Sequence, residues 1–346
     1  MRTLRALLLS DGRPGHYTLS EGILAAIARL KPVETVRLEA RRPRWLPAGA
    51  LSFLSNRGVP PARILTAIYG LSPARLPRAD LVVSAGGDTL AANIAAARLL
   101  GVPNLFYGSL RRYPPEAFAL VLTSYARHAQ SPRHLVTLKP SRLDPDAAEN
   151  GSSCAPPKAG TPPKVAGLIV GGNAGTIHYA PSDWDRLFQF VRAQSSAHGT
   201  RWVAATSPRT PDAQADALAH LSQEPSSPLV RLIDYRSAGP GTLGPLFREA
   251  AAIVVTSDSS SMLSEAIWMR RPVLSVSPER ADLPADELDY RRFLETSGWC
   301  AAMPIRELTP ARFLQRLAAI KPLELNPLDD LAEKLARRLP GLLGKP

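Results

Sequence analysis

Cysteine is nearly absent from the chain: its 346 residues contain two, Cys154 and Cys300. They lie far apart with no CxxC partner, which excludes a disulfide scaffold and a cysteine-built zinc site and reads as two free thiols in a reducing compartment. The histidines show no HxxxH or HxH spacing, so no metal is expected. Aromatic residues are few. No apolar run approaches the roughly 18 residues of a membrane span, and the apolar stretch in "MRTLRALLLSDGRPGH" is too short for a signal peptide and runs straight into a polar turn. A cytoplasmic protein is expected, either free or peripheral on the inner membrane. Acidic residues are outnumbered, 30 against 42 basic, for a net charge of +12. That excess implies attraction to something anionic: nucleic acid, phosphorylated metabolites or an acidic membrane surface. The arginines are scattered, with small clusters at Arg41–Arg44, Arg111–Arg112 and Arg270–Arg271, so no nucleic-acid partner is expected.

What is abundant is alternation. "LRALLLS", "ADLVVSAGG", "PNLFYG", "FALVLTS" and "HLVTL" read as short strands, the first two followed by helical patterns: Thr18 to Leu30 and "DTLAANIAAARLLG". The segment "PSRLDPDAAENGSSCAPPKAGTPP" (Pro140 to Pro163) carries Pro, Gly, Ser and Asp without apolar periodicity, as a linker does. The alternation then restarts with "KVAGLIVGG", "RWVAATS", "LVRLID", "AAIVVTSD" and "RPVLSV". Helices are expected from Ser182 to Ala193, Pro211 to Leu221, near Leu243–Ala250, and up to Met269. The fold class is α/β with mostly parallel sheets. The expected organisation is residues 1–140, a linker over 141–163, a second domain over 164–325, and a tail helix over 326–346 that returns to the first domain.

In open parallel sheets, ligands bind beyond the carboxyl ends of strands, and the turns there are unusually polar. "SDGRPGH" places Asp11, Gly12, Gly15 and His16 at the opening of the first helix. A histidine exchanges protons near neutral pH, so His16 is the candidate general base; the competing reading is a tight turn with a capping histidine. "SAGGDTLAAN" offers Gly86, Gly87 and Asp88, either for close ligand approach or for helix–sheet packing, with Asp88 or Thr89 as helix cap. "IVGGNAGTIHYAPSDW" contributes Gly171, Gly172 and Asn173, with Thr176 and His178, in a loop longer than a connection needs. "ATSPRTP" brings Thr206, Ser207, Arg209 and Thr210, which suit phosphate oxygens. The competing reading is that Ser207 or Thr210 is only an N-cap; Pro211 suits the first helical position.

The densest stretch is "VVTSDSSSMLSEAIWMRRPVLSV". Asp258, Ser259, Ser260 and Ser261 fall where a strand ends and a helix begins, a position that favours anions. Asp258 itself disfavours phosphate and is assigned to local capping or loop geometry. Glu265 lies one turn beyond Ser261 on the same face, where a carboxylate accepts both hydroxyls of a ribose. Diphosphate at the turn and ribose on the glutamate make a nucleotide site.

"LSDGRPGH", "TSPRTP" and "VVTSDSSSMLSEA" together resemble the mitochondrial fission "elongated mitochondria" family and its bacterial relatives, from about Leu7 to about Ser277. The last block is similar to the family pattern T-x-D-S-x-S-M-x-S-E-A. The resemblance implies two Rossmann-like domains facing a cleft in a glycosyltransferase B-type architecture, similar to that of the transferase that adds N-acetylglucosamine to lipid-linked muramyl peptide. It further implies a nucleotide-sugar donor on the second domain, with Glu265 on the ribose and Ser259–Ser261 and Thr206–Arg209 near the diphosphate. The acceptor, a lipid-linked or cell-envelope glycan, would lie on the first domain, with His16 as base. No metal or other cofactor is needed, because helix amides and arginine carry the charge of the leaving diphosphate. The alternative is a non-catalytic nucleotide-binding scaffold, as the family's role in fission suggests. One departure is "GGDTLA" where a more basic turn is expected. Bacterial members of the family are often labelled nucleotide-sugar epimerases, a reading disfavoured here because the first turn lacks GxGxxG and no YxxxK pair is present.

"EARRPRWLPAGALSFLSNRG" sets Arg41, Arg42 and Arg44 beside Trp45, Leu46, Phe53 and Leu54. Basic and apolar side chains together suit an anionic bilayer surface; the alternative is that the apolar ones tuck into the first domain.

Overall fold

A computed structural model of the chain describes residues 2–149 and 160–344. Cys154 and most of the proline-rich segment lie outside the described residues. The chain divides into two compact units, Met1–Arg142 with Pro327–Pro346, and Leu143–Asn326. Within the segment read as linker, Pro145–Glu149 forms a short helix that belongs to the second unit.

The first unit is built on β1 (Leu4–Ser10), β2 (Val33–Glu39), β3 (Leu81–Ala85), β4 (Asn104–Tyr107), β5 (Leu120–Thr123) and β6 (His134–Val136), in the order β2-β1-β3-β4-β5-β6. Every pairing is parallel. Such sheets are covered on both faces, so their inner strands are apolar without alternation. β3, β4 and β5 are buried at every position, whereas edge strand β2 is exposed along most of its length. The first helix spans Pro14–Ala28 and starts earlier than Thr18, because Pro14 takes the first helical position, where its missing N–H costs nothing. Gly15 and His16 therefore belong to the helix's first turn. The tail helix, Pro327–Arg338, turns Leu328, Leu331 and Leu335 inward and packs on the first helix, with Arg29 paired to Asp329 at 3.0 Å.

The second unit contains β7 (Val165–Ile169), β8 (Ile177–His178), β9 (Arg201–Ala205), β10 (Leu229–Ile233), β11 (Ala252–Thr256), β12 (Val273–Ser277), β13 (Arg280–Ala281) and β14 (Cys300–Pro304). Six of them make a parallel sheet in the order β10-β9-β7-β11-β12-β14. Counted within the unit this is 3-2-1-4-5-6, the doubly wound order of dinucleotide-binding folds. β8 and β13 pair antiparallel as a separate short ladder. The helix read as Ser182–Ala193 runs over Pro181–His198 and ends on Gly199, whose φ of 67° supplies the left-handed C-cap. Trp184, Leu187, Phe190, Trp202 and Phe313 anchor the core of this unit. Cys300 is a buried free thiol.

Candidate functional site

A doubly wound sheet opens a crevice where the strand order reverses, because the flanking connections leave toward opposite faces. In the first unit this point lies between β1 and β3, and the loops beyond both strands touch there. The Asp11 side chain is 1% exposed and lies 2.7 Å from His16 Nδ1 through Oδ2, while Oδ1 accepts the Arg13 amide at 3.1 Å. Burial works to raise the Asp11 carboxyl, but the hydrogen bond and charge of His16, helped by Arg13, hold it below the usual carboxylate range. An ionised carboxylate only accepts, so Nδ1 carries a proton, and Nε2 presents a lone pair when the imidazole is neutral. Gly86, at φ +87°, closes over the imidazole: a Cβ there would lie 2.1 Å from His16 Nδ1. Gly12, at φ +79°, is covered by Arg41, whose Nε donates to the Asp11 carbonyl at 2.8 Å. A Cβ on Gly15 would meet nothing within 4 Å, so that position has no steric need for glycine.

The turn after β3 differs from its sequence reading. Thr89 sits at the N-cap of the following helix, Leu90–Leu100, but its side chain makes no cap hydrogen bond. The Thr89 hydroxyl instead donates back to Ser84 Oγ and the Gly86 carbonyl, each at 2.9 Å. Asp88 pairs with Arg42 at 3.0 Å and Arg13 at 3.7 Å. The basic groups missing from this turn thus arrive from other loops, and Arg111 also packs over Gly87.

In the second unit the reversal lies between β7 and β11, and the loops beyond β9, β7 and β11 interlock. The Gly171 amide donates to Thr256 Oγ1 at 2.7 Å, and that hydroxyl donates to Asp258 Oδ1 at 2.7 Å. Asp258 Oδ2 accepts Arg209 Nε at 2.9 Å and pairs with Nη2 at 2.8 Å, with the carboxylate fully buried and the arginine 42% exposed. A Cβ on Gly171 would fall 1.9 Å from Asp258 Oδ1, and one on Gly172 would fall 1.8 Å from the Arg209 carbonyl oxygen. Both glycines are therefore required by close approach. Asp258 is no cap; Ser259 caps the helix Ser260–Trp268 by accepting the Met262 amide at 3.3 Å. Ser261 and half-buried Glu265 follow one turn apart on that helix.

The remaining candidates hold the loops in shape. Pro211, not Ser207 or Thr210, occupies the cap position of the helix Asp212–Gln223. Thr210 Oγ1 accepts the Ser207 amide and donates to the Val170 carbonyl, both at 2.8 Å, tying the β9 loop to the β7 loop. Thr206 turns toward the β10 loop, donating to Asp234 at 3.1 Å and accepting the Tyr235 amide at 2.7 Å. Asn173 accepts the Tyr179 amide at 2.9 Å. The length of that loop is explained by the β8–β13 ladder and by Thr176, which donates to the Asp282 carbonyl. Sequence reasoning read Arg41 with the membrane-facing cluster rather than on the Asp11 turn, and it missed Tyr179, whose hydroxyl lies 3.4 Å from Ser257 Oγ. Among the described residues, no group of three or more His, Cys, Asp or Glu side chains is placed to hold a metal ion, and no helix is long and apolar enough to cross a membrane. Leu46 tucks into the first unit's core, but Trp45 and Phe53 are 75% and 58% exposed.

Two Rossmann-like units, each with its polar loops gathered where the strand order reverses, define the class: an α/β protein of glycosyltransferase B-type fold. Residues 14–339 match the family model described as mitochondrial fission ELM1, and the chain belongs to that family. The fold is also similar to that of a Listeria monocytogenes protein assigned as a UDP-N-acetylglucosamine 2-epimerase, at TM-score 0.58 and 13% identity over 98% of this chain and 97% of that one. The UDP-GlcNAc 2-epimerase of Methanocaldococcus jannaschii aligns at TM-score 0.53 and 12% identity over 98% and 99%. Acinetobacter baumannii MurG aligns at 0.49 and 13% over 96% and 99%. At such identities the likeness is one of fold. No curated protein matches the sequence.

Proposed function

We propose that the protein is a metal-independent glycosyltransferase that moves a sugar from a nucleotide-diphosphate sugar to a hydroxyl of a lipid-linked or cell-envelope acceptor. The observation that carries this reading is the buried Asp11 carboxylate on His16 Nδ1 at the switch point of the first sheet. That pairing fixes the tautomer and leaves Nε2 as the base. His16 takes the acceptor's O–H proton, the acceptor oxygen bonds the anomeric carbon, and the bond from that carbon to the diphosphate breaks, releasing the nucleoside diphosphate. Asp11 stabilises the imidazolium that forms. The second unit takes the donor: Gly171 and Gly172 admit close approach, Ser259–Ser261 and Arg209 meet the diphosphate, and Glu265 accepts the ribose hydroxyls. Exposed Trp45 and Phe53, in an arginine-rich segment, support residence at an anionic cytoplasmic membrane face. Flotation with anionic liposomes at low salt checks that residence, and a protein left at the bottom of the gradient contradicts it.

The primary test is a melting-temperature titration with UDP, GDP, ADP and CMP, followed by turnover of the matching nucleotide sugars. One nucleotide should stabilise selectively, by about 2.7 kcal/mol at 100 times its dissociation constant. Glu265→Ala should abolish that shift, and His16→Ala should keep it while losing turnover. Full turnover in His16→Ala refutes the catalytic assignment. Nucleotide binding with no transfer to any acceptor favours the scaffold reading, and conversion of UDP-GlcNAc to its 2-epimer replaces transfer with epimerisation.

A further inference from the structure

The first unit holds a second polar site that the nucleotide and proton-transfer chemistry leaves unused. A cavity of about 230 Å³ is lined by Arg42, Arg111, Arg112, Tyr113 and Gly87, with the start of the helix Ala48–Asn56 as its floor. Its arginines come from the loops beyond β2 and β4, and Gly87 from the loop beyond β3, so it opens at the ligand-binding edge of the sheet. Arg42 is spoken for by Asp88 at 3.0 Å. Arg111 and Arg112 have no acidic partner among the described residues, so their charge faces the cavity uncompensated.

The backbone is shaped to hold these side chains. Arg111 adopts φ +55°, a left-handed conformation that is strained for a non-glycine residue. Its guanidinium lies over Gly87, where a Cβ would come within 2.5 Å of Cζ, and Arg112 Nη1 lies 3.3 Å from the corresponding point on Gly49. Two glycines thus leave room for two guanidinium groups. Asn56 Nδ2 donates to the Arg112 carbonyl at 2.9 Å and fixes the loop to the helix. Burial pushes the Tyr113 phenol up to about 12 against the pull of Arg111 and Arg42, so it stays protonated and able to donate.

We propose that this cavity binds a phosphate monoester or diphosphate group, held by the guanidinium forks of Arg111 and Arg112 with Arg42 and the Tyr113 hydroxyl completing the donor set. Planar forks suit phosphate oxygens. The volume fits a phosphate or diphosphate group rather than a whole nucleotide, since pockets for larger ligands run to about 300–1,000 Å³. The proposal does not depend on glycosyl transfer.

The shared chemistry is the phosphate; its carrier is either a soluble compound or a lipid. Calorimetric titration of the full chain with pyrophosphate probes the first, and flotation with phosphatidylcholine vesicles with and without phosphatidic acid probes the second. Arg111→Gln or Arg112→Gln should weaken the interaction roughly ten- to a hundredfold, while Arg209→Gln and the response to UDP mark the separate loops of the second unit. Pyrophosphate binding lost in the Arg111 and Arg112 variants supports a soluble ligand, and flotation on phosphatidic acid lost in the same variants supports a lipid-borne one. Arg111→Gly separates binding from folding: it relieves the left-handed strain, so the protein should melt no lower than wild type yet bind phosphate as weakly as Arg111→Gln. No binding in either arm, or full affinity in Arg111→Gly or in Arg112→Gln, overturns the proposal, whatever the outcome with nucleotide sugars.

Discussion

Removing Arg209 should cost more stability than removing its partner's charge. The Asp258 carboxylate is fully buried, with the two guanidinium contacts at 2.8 and 2.9 Å and the Thr256 hydroxyl around it, while Arg209 is 42% exposed. Arg209→Gln leaves a buried anion with one hydroxyl donor. Breaking a buried pair this way costs about 3–5 kcal/mol, and exposure of the arginine places this case at the low end, about 3 kcal/mol. Asp258→Asn keeps the Thr256 bond and releases the guanidinium to water, which costs about 1–2 kcal/mol. The double variant should recover about 1–2 kcal/mol relative to the sum, because the two residues touch. Urea denaturation with unchanged m-values measures all three differences. An Asp258→Asn cost equal to or above that of Arg209→Gln would refute the assignment of burial to the carboxylate side. The same variants separate shape from ligand contact: UDP affinity should fall about tenfold in Arg209→Gln and hold or tighten in Asp258→Asn.

Two glycine substitutions should move stability in opposite directions. Gly86→Ala meets both a positive φ and the His16 ring and should cost about 1–3 kcal/mol. Gly15→Ala, in open space in the first helix, should add about 0.4–1 kcal/mol; equal melting temperatures would contradict both. The low Asp11 carboxyl sets a pH signature. A carboxylate lowered by folding stabilises fully above its unfolded value of about 3.9 and loses that contribution as pH falls through the folded value. The stability gap between wild type and Asp11→Asn should therefore be fully present above the unfolded value and close as pH falls below it. A gap that stays constant in urea titrations as pH falls would remove the carboxylate from the site.

The linear sequence determined the alternation of buried strands and helices, because strands covered on both faces must be apolar throughout and polar turns must follow them. β1, β3, β7 and β11 are legible for that reason, as are the glycine turns beyond them. Edge strands β2 and β14 were missed although edge strands β6 and β10 were read: "VETVRLE" interleaves charged residues with apolar ones, and the apolar residues of "CAAMP" are mostly small and end on a proline. Thr89 holds the cap position without a side-chain cap bond, Asp258 serves loop geometry, and the cap read at Ser207 or Thr210 falls to Pro211, because a short polar side chain beside a helix start has several partners in reach. Thr210 and Asp258 took distant ones, Val170 and Arg209, while Thr89 turned back to Ser84 on the preceding strand. The Asp11–His16 pair spans five residues and was readable as a turn, but its geometry needed Gly86 from another strand to close it. In the sequence, the absence of GxGxxG and YxxxK spoke against nucleotide-sugar epimerases, yet the fold is shared with proteins assigned as UDP-GlcNAc 2-epimerases, because fold similarity does not follow short motifs. Only the tertiary structure joined Arg42, Gly87 and Arg111 around one cavity. Their positions lie on three different loops, and charge converging in space leaves no period or spacing along the chain.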